Sequence, residues 1–186
     1  TDGETFRVAR QINEGLIRFK PGTADPEPAL ATDWEQSTDG KTWTFTIRDG
    51  VTFHTGEALD AEAVKDSLEA AKDHGGASFI WAPVKSIAAP ATDRVVIKLE
   101  YAAPVDLIVS STYGAWIVAP SALEAVTEDD KYFESGVDAG TGPYTLESYT
   151  PGEKVVLTRF SDYWNAEEPA TYETVDIAIT ADAVTA

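Results

Sequence analysis

His54 and Glu57 are the first pair in this chain with the residue types and spacing for chemistry. A bound zinc needs three or four His, Cys, Asp or Glu ligands, and one imidazole beside one carboxylate does not supply them. His54 therefore reads as a turn histidine. His74 precedes Gly75-Gly76 and reads as a cation near a helix C-terminus, where positive charge is favoured. Gly140-Thr141-Gly142-Pro143 has the glycines of a phosphate loop but no following Lys-Ser/Thr. Pro143 also removes a backbone donor that such a loop would use. It reads as a tight turn ahead of a strand. Glu124, Glu128, Asp129 and Asp130 could bind a hard cation, but their spacing is not that of a calcium loop, so they read as a solvated acidic face. The chain has no Gly-x-Ser-x-Gly elbow, and two isolated histidines suggest no Ser-His-Asp set. No catalytic residue, metal ligand or cofactor is assigned from the sequence.

The aromatics offer more. Phe79, Trp81, Tyr113 and Trp116 lie in Gly-bordered loops or at strand ends, outside any alternating strand. Such residues either pack a core or present a flat apolar face to a ligand. They are the best binding candidates in the chain.

These residues need elements to position them. Thr42-Trp43-Thr44-Phe45-Thr46-Ile47 has period two, so Trp43, Phe45 and Ile47 share one face of a strand and the threonines share the other. Asp39-Gly40 before it reads as a hairpin turn of type I′. Trp34 is expected to pack with Trp43. Asp60 stands where a helix N-cap belongs, and Val64, Leu68 and Ala71 follow at helical spacing. Residues 4–14 read as an amphipathic helix stopped by Gly15, and 16–19 as a short strand. Pro21-Gly22 and Pro26-Glu27-Pro28 read as loop. Strands are expected over 84–89 and 94–100, then from Tyr144 to Tyr149, Val155 to Arg159 and Val175 to Ile179. A helix starts near Pro104 with Leu107 and Ile108 inward, and Ser121 can cap another over 121–126. Residues 124–138 read as irregular.

The bulk numbers limit the partners. With 14 Lys and Arg against 32 Asp and Glu, the net charge is −18 and the pI about 4.3. That argues against nucleic acid and anionic membranes, whose phosphates need clustered cations. Cysteine is absent, so these residues form no disulfide and no thiolate metal site. No apolar run reaches the length of a membrane span. The chain begins at Thr1 and not at Met, so an export signal is expected to have preceded it.

Four motifs together resemble one family. The run from Asp39 to Glu69 includes Thr42-Trp43-Thr44-Phe45, Arg48-Asp49-Gly50-Val51, Phe53-His54, Gly56-Glu57, Leu59, Ala61-Glu62, Val64 and Ser67-Leu68-Glu69. It is similar to the signature of extracytoplasmic solute-binding proteins of the peptide and nickel class, which serve ABC importers. Asp60 and Ala63 depart from that pattern, and Asp60 caps as well as the usual Thr. Asn13-Glu14-Gly15-Leu16, Gly140-Thr141-Gly142-Pro143-Tyr144 and Asp162-Tyr163-Trp164 match further family motifs in order. Pro28-Ala29-Leu30-Ala31 with Asp33-Trp34-Glu35 resembles another.

The resemblance implies an α/β fold: the first lobe of a bilobal periplasmic-binding-protein-like fold, a mixed sheet with packed helices plus a β-rich subdomain. Residues 1–30 and 140–186 would form the core-sheet part and 31–139 a hairpin and helix subdomain, with the second lobe absent. It implies a non-enzyme that captures a solute, a short peptide being the expected ligand, by hinge closure. Its partners would be that ligand and the permease subunits of an ABC transporter, and the protein would be a monomer. Its place would be outside the cytoplasm, lipid-anchored through a segment upstream of Thr1. In similar proteins the segments matching 78–81 and 113–118 face the cleft, and the loop at 1–3 borders it. This makes Asp2, Ser78, Phe79, Trp81, Tyr113 and Trp116 the implied ligand-binding set. The groups that hold peptide termini lie mainly on the other lobe, so the isolated chain is expected to bind peptide weakly or not at all. Two other readings stay open: a secreted carbohydrate-active enzyme or sugar-binding module, since aromatics stack on sugars and acids catalyse, and a self-contained interaction domain.

Overall fold

The structure is a computed structural model that describes residues 3–74, 77–111, 114–129 and 131–179. Helix α1 (Gly3–Ile12) leads to a two-stranded pair, β1 (Ile17–Phe19) and β2 (Pro26–Pro28). Strand β2 replaces the expected loop. Its prolines face Phe19 and Ile17 across an antiparallel pair, and they are tolerated because the strand lies at an edge. The turn between them runs from Lys20 to Asp25, with Gly22 at φ 75°.

Strands β3 (Ala31–Gln36), β4 (Thr42–Ile47), β5 (Val84–Ala91) and β6 (Arg94–Leu99) form a sheet in the order β3-β4-β6-β5. The alternation in β4 is realised: Trp43, Phe45 and Ile47 are buried and the threonines half-buried. The turn before β4 differs from type I′. Only Gly40 has positive φ. The Asp39 carboxylate instead accepts from the Lys41 N–H and the Ser37 hydroxyl, closing a longer loop, because an Asp can hold a turn through its side chain without a left-handed backbone. Trp34 stands opposite Phe45, and Trp43 opposite Gln36. Trp34 is thus a diagonal neighbour of Trp43, whose stacked ring partner is Phe45.

Helix α2 (Ala61–His74) covers this sheet. Asp60 caps it, accepting from the Ala63 N–H at 2.8 Å. Val64 and Leu68 are fully buried. Short helices α3 (Val105–Val109) and α4 (Pro120–Glu128) follow. In α3 the buried residues are Val105, Ile108 and Val109, while Leu107 is 52% exposed. The buried stripe of α3 runs through Val105, Ile108 and Val109, which leaves Leu107 on the opposite, solvent-facing side and corrects the expectation that it points inward. In α4 the residue at the cap is Ala119, and Ser121 lies inside the first turn. Its capping oxygen comes from far along the chain: Glu57 accepts from the Ser121 N–H at 3.2 Å and the Ser121 hydroxyl at 2.5 Å. These bonds, Ser121 first, hold the Glu57 carboxyl below its ordinary value. A short 3₁₀ turn, Tyr132–Ser135, occupies part of the acidic stretch read as irregular.

Strands β7 (Tyr144–Thr150), β8 (Lys154–Arg159) and β9 (Thr174–Ala178) make a third sheet. Every pairing among the nine strands is antiparallel, so the mixed character expected of the sheet is not formed among the described residues. The apolar interior has two centres. The larger joins β3–β6, α2, α3 and α4. The smaller joins Ile12 to Tyr144, Val155 and Leu157 on the third sheet. No helix among the described residues is long and apolar enough to cross a membrane.

Candidate functional site

The two aromatic segments meet. Residues 78–81 form a single 3₁₀ turn after α2, and the Trp81 indole N–H donates to the Gly114 carbonyl at 2.9 Å. A side chain at Gly114 would lie 3.1 Å from the Ala77 Cβ, so the glycine permits the close approach. The next residues are fixed from below. Ser67, 2% exposed on the inner face of α2, accepts from the Val118 N–H and donates to the Val118 carbonyl, both at 3.1 Å. Ile117 pairs with Glu14. Trp116 is thereby held half-buried between two anchored neighbours, with the Phe6 ring 5.9 Å away.

The four described members of the expected set separate by exposure. Phe79 is 77% exposed and Ser78 is exposed beside it. Trp116 is half-buried. Trp81 is 1% exposed, so its ring packs the core and its indole N–H is used internally. Asp2 and Tyr113 lie outside the described residues. His74 belongs to α2, and its side chain is likewise outside them.

Trp116 also lines a cavity of about 470 Å³, shared with Arg10, Asn13, Arg18, Lys20, Ser110 and Tyr163 among others. That volume is in the range of small-molecule sites.

Sequence reasoning missed two polar centres that hold this surface. The first is Glu14. Its carboxylate accepts from the Thr141 hydroxyl at 2.9 Å, the Tyr163 hydroxyl at 2.9 Å and the Trp164 indole at 2.8 Å. Burial, the largest influence, raises the Glu14 carboxyl above its ordinary value, while the three donors and the Arg18 charge pull the other way. Burial and the adjacent negative charge push the Tyr163 phenol far up, so it remains a donor. Arg48 lies 4.2 Å over the Trp164 ring and donates to the Ala29 carbonyl, closing the other side. The second centre is His54, whose side chain is 2% exposed. Its Nδ1 lies 2.5 Å from the Asp138 carboxylate and its Nε2 is 2.8 Å from the Gly142 carbonyl. Asp138 also accepts from the Leu146 N–H at 2.7 Å. Far from being a turn histidine alone, His54 ties the α2 side of the lobe to the start of β7.

Gly140-Thr141-Gly142-Pro143 is a turn, as read from the sequence, and its purpose is now visible. It lies against the end of α1, where Gly142 N–H donates to the Ile12 carbonyl at 2.8 Å. Among the described residues no group of three His, Cys, Asp or Glu is placed to hold a metal ion.

Comparison with known proteins places this arrangement. The model of bacterial extracellular solute-binding proteins, family 5 Middle, matches residues 25–186. A probable D,D-dipeptide-binding periplasmic protein of Escherichia coli K12 is 32% identical over 163 residues, covering 84% of this chain and 31% of the relative. A glutathione-binding protein of Salmonella paratyphi A is 31% identical over 167 residues, 87% of this chain and 31% of the relative. Among solved structures, the periplasmic binding protein DppA of Helicobacter pylori in complex with the peptide STSA superposes with a TM-score of 0.85 at 26% identity, covering 100% of this chain and 40% of the other. The chain thus spans about a third of the length of these curated relatives, and its α/β fold corresponds to one lobe of a periplasmic binding protein. The chain belongs to the bacterial extracellular solute-binding proteins, family 5.

Proposed function

We propose that this chain is the first-lobe part of the solute-binding component of an ABC importer, which captures short peptides outside the cytoplasm and delivers them to the permease. The observation that carries this reading is the family match over residues 25–186, joined to superposition of the whole chain on a peptide-bound binding protein. Several of the named cargoes support it, although other relatives and structures are named for nickel or for mannopinic acid. A dipeptide, glutathione and the peptide STSA are all short peptides ending in a carboxylate. The matched proteins are transport binding proteins, which supports capture without turnover over a carbohydrate-active enzyme.

In this reading Ser78, Phe79 and Trp116 face the ligand, Asp2 and Tyr113 are further proposed members of the set, and Trp81 acts behind the exposed residues as the support of the Gly114 turn. Peptide main chain would supply most of the affinity and roomy pockets would accept the side chains, as in strand addition. Two lobes would close over the ligand about a hinge and present the closed form to the permease. The test is small-angle scattering of the full-length protein with and without saturating trialanine. The expected result is a smaller radius of gyration with ligand. An unchanged profile at a ligand concentration shown to saturate binding would contradict the closure mechanism.

A further inference from the structure

We propose that Ser67, buried on the inner face of α2, is a positioning residue for ligand capture: it holds the 114–119 segment so that Trp116 is presented to the cargo in one place. The proposal rests on the reading of this chain as a peptide-capturing lobe with Trp116 facing the ligand. It adds a residue that acts through Trp116 without touching the cargo.

Two polar residues are buried whole among the described residues, Thr141 and Ser67. Thr141 is accounted for by its bond to Glu14. Ser67 is not required by its own helix. It stands between Val64 and Leu68, both fully buried, and alanine is the better helix former at such a position. A serine within a helix commonly turns its hydroxyl back onto a carbonyl one turn earlier. Here the hydroxyl leaves the helix and serves one distant residue twice. It donates to the Val118 carbonyl and accepts from the Val118 N–H, both at 3.1 Å.

Val118 lies in a segment whose backbone is held from several elements. The Gly114 carbonyl accepts from the Trp81 indole at 2.9 Å. The Ile117 N–H donates to the Glu14 carbonyl at 3.0 Å, and the Ala119 N–H to the Ala139 carbonyl at 2.9 Å. Ala115, Ile117 and Ala119 are fully buried, while Trp116 and Val118 between them are half-buried. That alternation puts Trp116 and Val118 on one side of an extended stretch. Ser67 therefore pins the residue that shares its side with Trp116. Buried backbone groups need partners, so loss of the hydroxyl would free Val118 and let Trp116 take more than one orientation. A ring already ordered before the ligand arrives costs less to order on binding.

The experiment uses the full-length protein and trialanine. Calorimetric titration compares the wild type with Ser67→Ala and with Val64→Ala, which removes core volume from the same helix but neither bond to Val118. Thermal unfolding confirms that each variant is folded. Each protein is also labelled with fluorotryptophan, and the Trp116 fluorine resonance is assigned through Trp116→Phe. The expected result is trialanine affinity about three- to ten-fold weaker in Ser67→Ala and unchanged in Val64→Ala. Without ligand, the Trp116 resonance is expected to be single in the wild type and in Val64→Ala, and broadened or split in Ser67→Ala. Wild-type affinity in Ser67→Ala, an unchanged Trp116 resonance in it, or an equal loss of affinity in Val64→Ala would each overturn the positioning role and leave the peptide reading in place. Full trialanine affinity in Trp116→Ala would overturn the assignment of Trp116 to the ligand, and the positioning role with it. A wild type that binds no trialanine, no glutathione and no other short peptide would overturn the peptide reading itself.

Discussion

Replacing Glu14 by Leu is expected to destabilise the protein by about 3 kcal/mol, because buried donors left without acceptors cost about 1–3 kcal/mol each. The substitution keeps the apolar stem and removes both oxygens, which strands the Thr141 hydroxyl, the Tyr163 hydroxyl and the Trp164 indole N–H. Tyr163 and Trp164 are half-buried and recover part of the loss from water, whereas Thr141 is fully buried. For a chain of this size such a loss lowers Tm by about 6–12 °C. Glu14→Gln is expected to behave differently. Its amide oxygen can accept from Trp164 and Thr141, and its NH₂ can donate to the Tyr163 oxygen, so the loss at neutral pH is about 1 kcal/mol or less.

The two variants also separate charge from hydrogen bonding. The Glu14 carboxyl is raised above its ordinary value of 4.5, chiefly by burial. Between 4.5 and the raised value the native state holds the proton more tightly than the unfolded chain does. The stability this group contributes is therefore fully present below about 4.5 and is lost as pH rises through the folded value. Glu14→Gln is neutral at every pH, so the wild-type-minus-variant difference in unfolding free energy should fall as pH rises across that window. Denaturant melts at a series of pH values read it directly. A difference that stays flat, or rises with pH, would show that the three donors outweigh burial.

Gly140→Ala is the second substitution expected to be severe, at about 3 kcal/mol or more, since overpacking against backbone leaves nothing flexible to move. A Cβ on Gly140 would lie 2.0 Å from the Ile12 carbonyl oxygen and 2.8 Å from its carbon. One on Gly142 would lie 2.5 Å from the Gln11 carbonyl oxygen. Neither glycine has a positive φ, so the obstacle is proximity and not conformation. Gly50 gives the contrast. It has φ 75° and open space around it, so Gly50→Ala is expected to cost only about 1–2 kcal/mol, the left-handed penalty. Urea denaturation of Gly140→Ala, Gly142→Ala and Gly50→Ala would rank them. Gly50→Ala as the most damaging of the three would contradict the packing of this turn on α1.

The two centres explain why some of the lobe was legible in sequence and some was not. Strand β4, the Asp60 cap and the β5–β6 hairpin are local. Their period, cap and turn residues sit within a few positions of each other, and each was read correctly. Strand β2 was missed because two prolines in three residues argue for a loop, and only its edge position makes them acceptable. The Glu57 cap on α4 joins residues 64 apart, the His54–Asp138 contact residues 84 apart and the Glu14–Trp164 bond residues 150 apart. Periodicity carries no information at such separations. One signal was nevertheless present. Glu14, Thr141 and Tyr163-Trp164 stand in three separate motifs, each with a polar group that is expensive to bury alone. Their convergence accounts for the motifs as a structural knot, while Phe79 and Trp116, proposed above to face the ligand, stand outside them.

We propose above that the full-length protein captures short peptides without turning them over. Calorimetric titration of the full-length protein with trialanine and glutathione, followed by mass analysis of the recovered ligand, tests it most directly. The account predicts one site per molecule, affinity of about micromolar or tighter, corresponding to about −8 kcal/mol or more, and ligand recovered intact. Absence of heat with every short peptide, or recovery of cleaved peptide, would contradict it.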